Sequence, residues 1–219
     1  MKSEKIENLL TKASEKYAKK TGLRIVVGLI PRIGGSLNIL LTSRAQRLTQ
    51  ERFGSLLLKL ASQLEAIDED KIYKQFLDSE EWFDLIFRAF EKAIRTRSAE
   101  KIQLYSKILI GALINPDNRE HSESFLDVLA ELSEIEVRFA RLVYEFKDVN
   151  IKSKDDHGQP RPNKFLEQCT FIDRNDLQFY MKRLERVGLV NEQIGMILGY
   201  DGGLYHVTPT FDKLMKAIS

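Results

Sequence analysis

Three sets of residues in this chain have the types that chemistry needs. Cys169 is the sole cysteine. As a nucleophile it would need an imidazole base, and His157 and His206 stand in the sequence for that role. Ser98-Ala99-Glu100-Lys101 has the Ser-x-x-Lys spacing of penicillin-binding serine hydrolases. The run GLIPRIGGS, residues 28–36, bears glycines in the manner of a phosphate loop. None of the three is completed. The serine pair lacks the Ser-Asp-Asn and Lys-Thr-Gly companions. The glycine run has neither the Gly-Lys-Ser/Thr ending that meets phosphates nor the Gly-x-Gly-x-x-Gly dinucleotide spacing. The many carboxylates show no metal-ligand pattern, and His121 is isolated. The expectation is a non-enzymatic chain with no cofactor and no metal.

Local structure accounts for the same residues. Ser98 reads as a helix N-cap and Cys169 as a buried thiol. Ser36 reads as the N-cap of a helix carrying Leu37, Leu40, Leu41, Ala45, Leu48, Phe53, Leu56, Leu57, Leu60 and Leu64 at helical spacing. The apolar run from Ile25 to Leu41 is 17 residues long, whereas a span needs roughly 20. It is also broken by Pro31, Arg32, Gly34 and Gly35. No transmembrane segment is expected. The opening MKSEKIENLL lacks the apolar core of a signal peptide, and a single cysteine excludes a disulfide framework. A cytoplasmic setting is the expectation.

Charge is unevenly spread. Residues 1–52 carry 11 basic and 4 acidic side chains, and residues 53–150 carry 13 and 19. Residues 151–219 carry 10 and 9. The basic start can face an anionic partner or the acidic middle of its own chain. Residues 3–20 place Ile6, Leu9, Leu10, Ala13 and Tyr17 near one helical face with lysines around it. That pattern suits either a packed surface helix or peripheral contact with an anionic membrane.

The elements that would hold any site are mainly helical. Ser79, followed by Glu80 and Glu81, caps a helix with Trp82, Phe83, Ile86, Phe87, Phe90 and Ile94 on a wide apolar face. Ser98 starts another helix, which Asn115-Pro116-Asp117-Asn118 ends as a turn. SESFLDVLAEL is a further helix, and Ser133 with Glu136 forms a capping box for the next. Residues 1–150 form a helical body with a basic N-terminal segment in this reading, with 151–163 as a linker or exposed loop inside the polar stretch 147–164. Residues 164–219 form a small module.

In that module NKFLEQCTFIDRNDLQFYMKRLERVGLV reads as a short helix, a turn, and a helix from about Asp173. Leu177, Tyr180, Met181, Leu184 and Val187 face its core. Gly188 turns the chain out, and two short strands lie around GYDGG. Thr208-Pro209 begins a closing helix. The stretches DLQFYMKRLERVGLV, ILGYDGGLYHVT and TPTFDKLMKAI together resemble a winged helix-turn-helix domain. KIQLYSKILIGAL and FLDVLAELSEIEVRFARLVYEF are similar to uncharacterised bacterial helical proteins. The fold class expected is mainly α: a multi-helix body followed by a small α/β winged-helix-like domain.

The winged-helix resemblance implies outward contacts from Arg174, Asn175, Gln178, Lys182 and Arg186. In DNA-binding members such residues meet phosphates and base edges. Residues 161–219 carry eight basic and seven acidic side chains, and ILGYDGGLYH has no lysine or arginine. Phosphate attraction dominates nucleic-acid affinity. The leading expectation is therefore a non-enzymatic interaction or adaptor protein that uses its helical body and its winged-helix module, with a protein partner or self-association. The alternative is a bacterial DNA-binding transcriptional regulator on double-stranded DNA.

Overall fold

The computed structural model describes residues 46–152, 162–193 and 202–219. The N-cap at Ser36, the amphipathic stripe in 3–20, His157 and residues 194–201 lie outside the described residues. The described chain is a mainly α-helical body with a small three-stranded antiparallel sheet toward its C-terminal end. The described residues divide into two compact units, 46–131 with 217–219, and 132–152 with 162–193 and 202–216.

The first unit holds helices α1 (Gln46–Glu65), α2 (Lys74–Leu77), α3 (Glu80–Arg95), α4 (Ala99–Ile114) and α5 (Pro116–Glu131). Each boundary has a local cause. Ser79 Oγ accepts from Trp82 N at 3.2 Å, and Glu80 and Glu81 lie in the positive first turn of α3. Ser98 Oγ accepts from Lys101 N at 3.2 Å and caps α4. Lys101 Nζ donates to the Ala130 carbonyl at 3.1 Å, near the carbonyl end of α5. Helix α4 is buried on most of its circumference and packs against α1, α3 and α5. Leu56, Leu60, Trp82, Ile86, Phe90, Tyr105, Leu109 and Phe125 form the centre of this core. Burial pushes the Tyr105 phenol well above its ordinary range.

The predicted turn at 115–118 is shorter than expected. Asn115 alone is non-helical, and α5 begins at Pro116. Proline suits that first position because its absent N–H would have had no helical partner. Asn115 Oδ1 accepts from Asp117 N at 3.0 Å and seals the junction.

The second unit holds α6 (Glu134–Phe146), β1 (Asp148–Asn150), α7 (Lys164–Gln168), α8 (Leu177–Arg186), β2 (Val190–Glu192), β3 (Leu204–Val207) and most of α9 (Pro209–Ile218). The Ser133–Glu136 capping box is formed in both directions. The sheet order is β1-β3-β2, with Val149 opposite Tyr205 and Glu192 opposite Tyr205 on the other side. β1 falls in the polar stretch 147–164, which reads as a linker or long exposed loop, and at the end of the expected helical body. Lys147, at the end of α6, has φ 63° and ψ −58° and turns the chain directly into β1. Its carbonyl accepts from Val207 N at 3.1 Å. The predicted helix start at Asp173 resolves into a 3-10 turn, Arg174–Asp176, before α8 at Leu177. Asp173 Oδ1 accepts from Asn175 N at 2.8 Å. Thr208 Oγ1 accepts from Phe211 N at 3.1 Å and starts α9.

Candidate functional site

Helix α8 is amphipathic. Leu177, Met181 and Leu184 are buried, and Phe139 of α6 meets the ring of Tyr180 at 5.8 Å. The opposite side faces solvent. Arg174, Asn175, Gln178, Lys182 and Arg186, the residues expected outward, are all exposed. The turn and α8 therefore gather them along one helical segment.

Their electrostatics differ from those of a bare basic surface. Lys182 Nζ lies 2.7 Å from Glu185 Oε2 and 2.7 Å from Glu192 Oε2. The hydrogen bonds to Glu185 and Glu192 hold its ammonium above the ordinary lysine range. The Lys182 bond in turn holds the Glu192 carboxyl below its usual range, helped by Gly203 N–H at 2.8 Å. Arg183 Nε donates to Glu136 Oε1 at 2.6 Å, tying α8 to the start of α6. Burial alone would raise the Glu136 carboxyl, but the bonds from Arg183 and from Ser133 outweigh it and hold it low. Two of the cations of α8, Lys182 and Arg183, are thus paired with carboxylates of the same unit.

Phe179 stands among them with 61% of its surface exposed, its ring 5.4 Å from that of Tyr180 in an edge-on arrangement. The sequence reading missed it. The signal was present, because Phe179 falls off the stripe of Leu177, Met181 and Leu184. A large ring on the solvent side of a helix otherwise populated by polar residues is the feature to explain.

Beside α8, an open depression of about 560 Å³ lies over the turn between α7 and α8. Leu166, Phe171 and Ile172 contribute apolar surface, and Glu167, Asp173 and Arg174 contribute charge. Cys169 lines it but is 5% exposed. Burial pushes the Cys169 thiol up, opposed by the charge of Arg138, so it is not activated as a nucleophile. Arg138 stacks over the Phe171 ring at 4.0 Å.

The sheet offers little for strand pairing. The outward carbonyl of Asn150 on β1 accepts from Asn163 Nδ2 at 2.6 Å. The outward N–H of Glu192 on β2 donates to Glu185 Oε1 at 3.1 Å. Both edges are short and occupied by side chains of the same unit, which blunts them as templates. His206 sits on β3 with Nδ1 2.6 Å from Asp148 Oδ1 and Nε2 3.0 Å from Gln193 Oε1. This row of groups runs from Asp148 on β1 across His206 on β3 to Gln193, the residue after β2. His121 lies on α5, its ring 5.8 Å from that of Phe125. Among the described residues no cluster of three or more metal-ligating side chains occurs. No helix among them is long and apolar enough to cross a membrane.

Compared with protein-family models, with curated proteins and with solved structures, the chain matches none.

Proposed function

We propose that this chain is an interaction protein without enzymatic activity, whose winged-helix-like second unit docks a protein partner through the exposed face of α8. One observation carries the reading: Phe179 is 61% exposed on a helix whose lysine is held by two carboxylates and whose Arg183 is held by a third. Aromatic anchors surrounded by polar groups are the usual energetic centres of protein interfaces. A duplex-binding helix needs cations free to displace counterions from phosphates. Lys182 has already spent two of its three donors within the unit. The winged-helix assignment rests on the order α7, turn, α8, β2, β3, α9.

A second reading, a DNA-binding transcriptional regulator, is favoured by the common exposure of Arg174, Asn175, Gln178, Lys182 and Arg186 on one turn and helix. The two are separated by placing a photo-reactive amino acid at position 179 of the full chain, with exposed position 213 as control, and irradiating the native cell. Adducts at 179 that protease removes and nuclease does not support the protein reading. Nuclease-sensitive adducts support DNA. Equal labelling at both positions removes α8 as the site.

A further inference from the structure

We propose that Glu192 is an acid-sensitive latch inside the second unit: its carboxylate ties the Gly203 amide, beside β3, to helix α8, and one proton on it releases that amide while the unit around it stays folded. The inference holds whether or not α8 docks a partner.

Each oxygen of this carboxylate faces a donor from a different element. Oε1 accepts from Gly203 N–H at 2.8 Å, and Oε2 lies 2.7 Å from Lys182 Nζ of α8. The Glu192 N–H donates to Glu185 Oε1 at 3.1 Å, and Glu185 Oε2 meets the same ammonium at 2.7 Å. Backbone and side chain of residue 192 therefore both end on α8. The Glu192 side chain is 17% exposed, so its bonds are little screened by solvent. The titratable groups placed around it among the described residues are Lys182 and Glu185 from α8, Tyr205 opposite it on β3, and Lys152. The Lys152 stem passes over Gly203, 3.0 Å from where a Cβ on that residue would stand.

An ionised carboxyl only accepts, which suits two facing donors. A proton places an O–H on an oxygen that already faces a donor, and it removes the charge that strengthens both bonds. One cation and two carboxylates leave Lys182, Glu185 and Glu192 with one net negative charge; the proton cancels it, and Glu185 continues to hold Lys182. The bond from Lys182, followed by that from Gly203, keeps the Glu192 carboxyl below its ordinary value of 4.5. With the folded-state value depressed, the latch is closed above the unfolded-state value of 4.5 and opens as pH falls through the folded one. The opening is local. Val190 and Tyr205 remain fully buried, and Gln193 N–H still reaches the Leu204 carbonyl at 2.8 Å, so β2 and β3 stay paired without the carboxylate.

The test is an NMR titration of the amide signals of the nitrogen-15-labelled full chain from about pH 7 to about pH 2.5, which brackets the carboxyl range. The Gly203 amide proton, held downfield by a carboxylate, should move upfield in one step below pH 4.5. The Met181 amide, inside α8 with its side chain buried, should keep its place and report that the unit is still folded. Glu192→Gln should put the Gly203 signal near its acid position already at pH 7 and abolish the step. Lys182→Met, at a side chain that is 47% exposed, leaves the core intact and should raise the midpoint by about 0.5–1 pH unit. A Gly203 signal without a step overturns the inference. So does a step that survives Glu192→Gln, or a midpoint that Lys182→Met leaves unmoved. Loss of the Gly203 and Met181 signals together, at one pH, also overturns it, because the unit would then unfold as a whole with no separate latch.

Discussion

Replacing Glu136 with glutamine should destabilise the second unit and remove part of its acid sensitivity. Glu136 closes two contacts at once: Oε2 accepts from Ser133 N at 2.6 Å and Oε1 from Arg183 Nε at 2.6 Å. Its side chain is 6% exposed and that of Arg183 22%. Removing one member of a buried ion pair costs about 3–5 kcal/mol because the other charge is left uncompensated. Arg183 retains some water, which reduces the cost, while weakening of the capping box adds to it. The expected loss is about 2–3 kcal/mol. The folded-state carboxyl is held low, so its contribution is present above the unfolded-state value near 4.5 and is lost as pH falls through the folded one. Glu136→Gln should therefore flatten the fall in stability below pH 4.5. The assay is native-state hydrogen exchange of amides in α6 and α8, with Arg183→Met completing a double-mutant cycle. A coupling above about 1.5 kcal/mol is expected. A coupling below about 0.5 kcal/mol, or an unchanged acid limb in Glu136→Gln, would refute the reasoning.

Three further predictions concern the same fold. Lys147 holds a positive φ, and although its ammonium reaches Asp212 at 2.6 Å the pair is well exposed. Lys147→Gly should be more stable than Lys147→Ala by about 1 kcal/mol in thermal unfolding, and the reverse order would show the backbone to be unstrained. Glycines 54 and 202 should respond oppositely to alanine. Gly54 has nothing within 4 Å of an added Cβ, so Gly54→Ala should stabilise α1 by about 0.5–1 kcal/mol. At Gly202, φ is +83° and the added carbon would sit 2.7 Å from Glu192 Oε1, so alanine should destabilise by at least about 1 kcal/mol. A chemical melt of each variant decides both signs. Cys169, buried with its thiol pushed up, should react with a disulfide reagent at neutral pH far more slowly in the native chain than in urea; equal rates would place the thiol in solvent.

What the sequence made legible was local. Ser79, Ser98, Ser133 and Thr208 cap helices because a cap needs only the next three residues, which stand beside it in the chain. Gly188, at φ 76°, turns the chain after α8 for the same kind of reason. β1 was not legible. Its three residues, Asp148, Val149 and Asn150, carry one buried side chain, and their partner strand begins at Leu204. Nothing near Asp148 announces that pairing. The site shows the same division. The exposure of Arg174, Asn175, Gln178, Lys182 and Arg186 follows from helical period, but what each charge meets does not. Glu185 lies three residues from Lys182 on the same helix, yet Glu192 arrives only after the chain turns back at Gly188. Arg183 finds Glu136 across 47 residues of sequence. Glu192 and Glu136 thus pair Lys182 and Arg183 on a helix that reads as basic, and Phe179 stands exposed beside them.

The central claim, that Phe179 anchors a protein contact, is tested most directly by a trifluoromethyl-phenylalanine at position 179 observed by fluorine NMR. The labelled full chain is added to native extract, to extract cleared with nuclease, and to extract digested by a protease that is then inhibited. The account predicts a shifted, broadened resonance in extract that survives nuclease and reverts after proteolysis. A resonance that is unchanged in extract, or that reverts on nuclease treatment, contradicts it.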